Sequence, residues 1–135
     1  MARVPARRRT DPVSGRAALQ RALGGGEPDR SDVRDAVRFL LEELAAAAPG
    51  RSVEVRVPPY GAVQCVSGPR HTRGTPPNVV ETDPLTWLRL GAGSATWADE
   101  LAAGHVHASG ERADLSAYLP ISATAPSSGP AEQSR

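Results

Sequence analysis

Lysine is absent from this 135-residue chain: all sixteen basic side chains are arginine. Together with the abundance of alanine, glycine and proline, that bias reads as genomic composition, so arginine number alone is no sign of phosphate recognition. Cysteine is almost absent too. A lone Cys65 excludes an internal disulfide framework and suits a reducing compartment. Long apolar runs are also missing, and no stretch approaches the roughly 18 residues needed to span a bilayer. The N-terminal arginines lead into Thr10-Asp11-Pro12 and polar residues, which fits neither a secretory nor a twin-arginine signal. The expectation is a soluble, cytoplasmic protein without stable membrane insertion.

The formal charge is +1, and its distribution matters more than its size. Residues 1–10 carry Arg3, Arg7, Arg8 and Arg9 and no acid, whereas residues 11–121 hold eleven arginines against fourteen acids, a charge of −3. A nucleic-acid domain clusters cations on a structured face. This body does not, and nucleic acid is not an expected partner. Residues 1–10 read as a disordered basic tail, residues 11–121 as one domain, and residues 122–135, rich in Ser, Ala and Pro, as a second disordered tail.

Asp11-Pro12 is a helix start, running to about Leu23 before three glycines. A second helix starts at Ser31. There Val33, Ala36, Val37, Leu40, Leu41, Leu44 and Ala48 recur every three or four residues opposite Arg34, Asp35, Arg38, Glu42 and Glu43. The period then drops to two: Val53, Val55 and Val57 alternate with Glu54 and Arg56 as a strand. Tyr60 to Val66 reads as a second strand with Val63 and Cys65 inward. Ser67 to Pro77 forms a long loop without apolar periodicity. Asn78 to Thr82 is a third strand, and Asp83-Pro84 repeats the helix start. A short helix after Thr96, a strand over His105 to Ser109 and a last helix over Ala113 to Leu119 complete the series.

The segment NVVETDPLTWLRLGAGSATWADELAAGHVHASGERADLSAYL, residues 78–119, is similar to the C-terminal half of sterol carrier protein domains. The stretch SVEVRVPPYGAVQCVSGPRHTRGTPPNVVETDPLTWL, residues 52–88, resembles a family of small actinobacterial proteins described as bacterial sterol carrier orthologues, its most distinctive run being GPRHTRGTPPNVVETDP. The resemblance covers about residues 11–120. It implies an α/β (α+β) fold: here a small mixed sheet of about four strands, with helices on one face and an apolar cavity between them. It also implies a carrier that binds sterols, fatty acids or acyl thioesters without catalytic residues or a cofactor of its own.

On that basis Val79, Val80, Leu85, Leu88, Trp97, Leu101, Val106, Leu115 and Leu119 are expected to border a lipid pocket. Trp87 and Tyr118 belong to the same apolar set, for which core packing is the alternative reading. Arg70, His71 and Arg73, in the long loop with Gly68, Thr72, Gly74 and Thr75, form a candidate contact for an acidic head group or a protein partner. Absence of a lysine and of a GKS or GKT run excludes a nucleotide-binding phosphate loop. His105 and His107, with Glu81 or His71, have the makings of a metal site, but the spacing is weak and a solvated sheet face with Glu54, Arg56 and Gln64 explains them better. No metal is therefore expected. Cys65 reads as a small buried hydrophobe, and the serines lack a nucleophile elbow, so no catalytic set is expected. The rival reading is an interaction or accessory module with a filled core that contacts a protein through the Arg70 to Pro77 loop.

Overall fold

The computed structural model describes residues 10–68 and 78–121; the two tails and most of the long loop, Arg70, His71 and Arg73 included, lie outside the described residues. The element order is α1 (Pro12–Ala22), α2 (Arg30–Ala47), β1 (Val53–Val57), β2 (Gly61–Cys65), β3 (Asn78–Thr82), α3 (Pro84–Ala92), α4 (Trp97–Ala102) and β4 (Val106–Ser109). The four strands form one mixed sheet in the order β2-β1-β3-β4. β1 runs antiparallel to β2 and parallel to β3, and β3 runs antiparallel to β4.

The helix starts follow local chemistry. Asp11 accepts from the Ser14 amide at 2.9 Å and Asp83 from the Thr86 amide at 3.1 Å, each beside a proline whose missing N–H leaves no orphan. α2 begins earlier than the sequence reading: Asp29, not Ser31, is its cap and accepts from the Ser31 amide at 3.1 Å. Thr96 caps α4 through the Asp99 amide at 3.2 Å.

α2 is the hub of the packing, touching α1, α3 and β2. Its predicted stripe is buried, and so is Phe39, which the stripe did not include. α1 approaches Phe39 through Gly15, where an added Cβ would lie 2.5 Å from the ring. α3 approaches Leu40 through Gly91, where an added Cβ would lie 2.6 Å from a Leu40 methyl. These two glycines set how closely the outer helices dock.

The inner sheet face carries Val53, Val55, Val57, Cys65, Val80, Thr82 and Val106, all buried. The other face carries Glu54, Arg56, Gln64, Glu81 and His107, as their alternation predicts. β2 stops one residue short of its predicted end because Val66 turns to φ 68°, a left-handed conformation that strains a β-branched residue. It is held there from two sides. Its amide donates to Ala48 O at 2.6 Å, and its carbonyl accepts from the Ser52 amide at 3.0 Å and the Ser52 hydroxyl at 2.7 Å.

The predicted last helix is corrected: residues after β4 form only a single 3₁₀ turn at Ser116–Tyr118. Asp114 takes the Ser116 amide at 2.9 Å, a local bond that competes with helix formation.

Overpacking a core contact costs about 1–3 kcal/mol, and alanine in place of a helical glycine returns up to about 1 kcal/mol. Gly15→Ala is therefore expected to lower stability by up to about 2 kcal/mol, because Phe39 is met at Cβ and Cγ and cannot swing aside. Gly91→Ala meets the branched end of Leu40, closest at one methyl and farther from Cγ, and is expected to cost less. Urea unfolding of both variants at unchanged slope checks the order.

Candidate apolar site

Of the nine residues expected to border a lipid pocket, the structure brings five together. Val80 from β3, Leu88 from α3, Trp97 from α4, Val106 from β4 and Leu115 from the C-terminal segment are buried in one cluster, with Trp87 added. Leu85 and Leu119 are half-buried at its margin. Val79 and Leu101 lie elsewhere. Strand alternation turns Val79 to the outer sheet face, opposite Ser109, and Leu101 stands 41% exposed on α4.

Leu88 and Leu115 have no surface that a water molecule can reach, and Val80 has 1%. A side chain lining a void wide enough for an acyl chain keeps such surface even when the void is closed, so these three pack against neighbours. At the other end of the cluster, however, an open apolar groove of about 260 Å³ lies between α2 and the C-terminal segment. Leu44 and Ala47 form one wall; Ala117, Tyr118, Pro120 and Ile121 form the other. Leu44 and Ile121 are themselves core residues, so the groove floor is the core surface. The far wall is held by the Ile121 amide on Gly91 O at 2.9 Å and by contact of Pro120 with Gly93. A reading that ended the domain in a regular helix had no reason to find this groove.

Among the described residues, buried polar side chains are satisfied with one exception. The Ser52 hydroxyl bonds Val66 O, the Thr82 hydroxyl donates to His105 O at 2.8 Å, and the Thr86 hydroxyl donates to Asp83 Oδ1 at 2.7 Å. Among the described residues, Trp87 Nε1 is the buried side-chain donor without an acceptor. Leaving such a group unpaired costs about 1–3 kcal/mol.

The outer sheet face offers two open polar depressions. One of about 330 Å³ is bordered by Pro58, Glu81, Thr82, Asp83, Gly104, His105 and His107; the other, of about 270 Å³, by Val79, Glu81, His107, Ala108 and Ser109. His105 precedes β4 rather than sitting in register with His107, and its Nδ1 pairs with Glu100 Oε1 of α4 at 2.6 Å. Among the described residues, no three His, Cys, Asp or Glu side chains gather where they could hold a metal ion. Burial pushes the Cys65 thiol up to about 11, which keeps it protonated at neutral pH.

Asn78, at the start of β3, was not singled out by its sequence context and proves to be a latch. Its Nδ2 donates to Ser52 O at 2.7 Å, and its Oδ1 accepts from the Arg112 amide at 3.0 Å. It ties β1, β3 and the turn after β4 together.

A sequence model of the family described as "Bacterial SCP ortholog" matches residues 29–121. No curated protein matches the chain. Among the described residues no helix is long and apolar enough to cross a membrane.

Asp83 anchors α3 above the cluster. Burial pushes its carboxyl up, but hydrogen bonds from the Thr86 hydroxyl and amide outweigh this and hold it below the ordinary 3.8. A carboxyl lowered on folding adds stability above its unfolded pKa, and that contribution disappears as pH falls through the folded value. Asp83→Asn keeps a capping oxygen but does not titrate. Its thermal midpoint is expected to fall less than that of the wild type between pH 5 and pH 3, as followed by circular dichroism; equal slopes would remove Asp83 from the acid response.

Proposed function

Because the chain belongs to the bacterial sterol carrier protein ortholog family, we propose that it is a non-enzymatic module that binds an apolar small molecule of lipid type. The observation that carries this reading is the groove of Leu44, Ala47, Ala117, Tyr118, Pro120 and Ile121, whose floor is the hydrophobic core. Its volume of about 260 Å³ falls just short of the roughly 300–1,000 Å³ of small-molecule pockets. A long ligand therefore enters by lifting the segment from Ala113 to Ile121, which has a single 3₁₀ turn to hold it in shape. Val80, Leu88, Trp97, Val106 and Leu115 then become the inner lining. Leu85 and Leu119 edge it, and Val79 and Leu101 are outside it. Arg70, His71 and Arg73 remain candidates for contact with an acidic head group or a partner.

Magnitudes decide which ligands suit such a site. Lifting the segment re-exposes Leu115 and Ile121, at about 1.5–3 kcal/mol each. Burying a sixteen-carbon chain yields about 13 kcal/mol before association costs, at about 0.8 kcal/mol per methylene. Eight carbons yield about 6 kcal/mol, which opening alone consumes. Only long chains have a surplus.

A second reading has its own support: Leu88 and Leu115 are packed without any accessible surface, as a filled interaction module requires. Native mass spectrometry of the full chain separates the two. The carrier reading expects a copurifying apolar molecule, and after delipidation an adduct with sixteen-carbon but not eight-carbon alkyl chains. If neither length binds and nothing copurifies, the carrier reading is wrong. A protein partner lost on Arg73→Ala would then establish the filled module.

A further inference from the structure

Trp87 sits on α3 one helical turn before Gly91, so the two share a side of the helix, about 6 Å apart along its axis. Gly91 is where the C-terminal segment is fastened: its carbonyl accepts the Ile121 amide at 2.9 Å, and Leu40 packs on its Cα. The unpaired Nε1–H therefore belongs to the residue one turn before the one that fastens the C-terminal segment, in the same buried cluster as Val80, Leu88 and Leu115. All other buried polar side chains described above are bonded within the protein. A phenyl ring would fill this place without an orphaned donor.

The surroundings fix what this donor suits. Among the described residues the buried polar side chains are Ser52, Thr82 and Thr86, and none is cationic. An ionised carboxylate brought to this depth would lose its water and gain no counter-charge. An uncharged oxygen, as in an alcohol, ketone or ester, needs one donor and no cation.

We propose that the buried Nε1–H of Trp87 donates to an uncharged oxygen on a long apolar ligand, so that the site prefers neutral oxygenated lipids over ionised fatty acids. This rests on the carrier reading and sharpens its ligand class. It also runs against a head-group role for Arg70 and Arg73, since those residues would favour the acid.

The test compares 1-hexadecanol, hexadecanoate and hexadecane, matched in chain length, on the full chain at pH 7.4. The protein carries ¹⁵N-indole tryptophan, and Trp97→Phe assigns the two signals. Expected are at least tenfold tighter binding of hexadecanol than of hexadecanoate and a downfield shift of the Trp87 indole proton with hexadecanol only. Trp87→Phe is expected to weaken hexadecanol about fivefold, the worth of one ordinary hydrogen bond, and to leave hexadecane within twofold. Where Trp87→Phe does not fold, the wild-type indole shift and the alcohol-to-acid ratio decide. Equal or tighter binding of hexadecanoate, or an unmoved Trp87 signal with hexadecanol bound, overturns the proposal while the carrier reading stands. Binding of none of the three overturns both.

Discussion

Everything in this fold is arranged around a helix with too little solvent-facing circumference. Ala36, Val37, Phe39, Leu40 and Leu41 are all buried, and at 100° per residue they span an arc of about 200°, just over half of α2. An amphipathic helix on a sheet needs one stripe covered; α2 needs cover on three sides. α1 takes the Phe39 side, α3 the Leu40 side and the sheet the remainder. The close approaches at Gly15 and Gly91 are what let two outer helices fit against one central rod. Moving either helix outward would open the core along its length.

The hub also dictates where anything apolar can enter. α2 is capped by α1 and α3 along its middle, the sheet closes it below, and the long apolar faces of these elements are consumed in the process. Among the described residues, the end near Leu44 and Ala47 is closed by a stretch without extended regular structure. The groove lies there because residues 113–121 form a single 3₁₀ turn and no regular helix. Binding at this end is compatible with a core that is solid elsewhere.

Much of this was legible in residue order. Asp11-Pro12, Asp83-Pro84 and Thr96 located three helix starts, and the valines of β1 gave their faces by alternation. Phe39 was missed because a one-stripe pattern has no place for it; only the docking of α1, a long-range event, makes that position interior. Leu101 and Val79 were expected inside because apolar residues usually are, yet four turns of short helix and one strand cannot all point inward. Trp87 was legible as core but not as an unpaired donor, since pairing depends on neighbours brought from elsewhere in the chain. The Asn78 latch has the same origin: its partners, Ser52 and Arg112, are 26 and 34 residues away.

Ser52 meets both ends of the long loop. Gly68 lies against its side chain, where an added Cβ would be 3.0 Å from Ser52 Cβ, and Asn78 holds its carbonyl at 2.7 Å. The chain thus leaves the fold and returns at one point, with the strained Val66 fixing the exit. Extra length in a loop whose ends already touch costs only about 0.6 kcal/mol per doubling. The register of β1 on β3 is consequently insulated from changes in the length of residues 69–77.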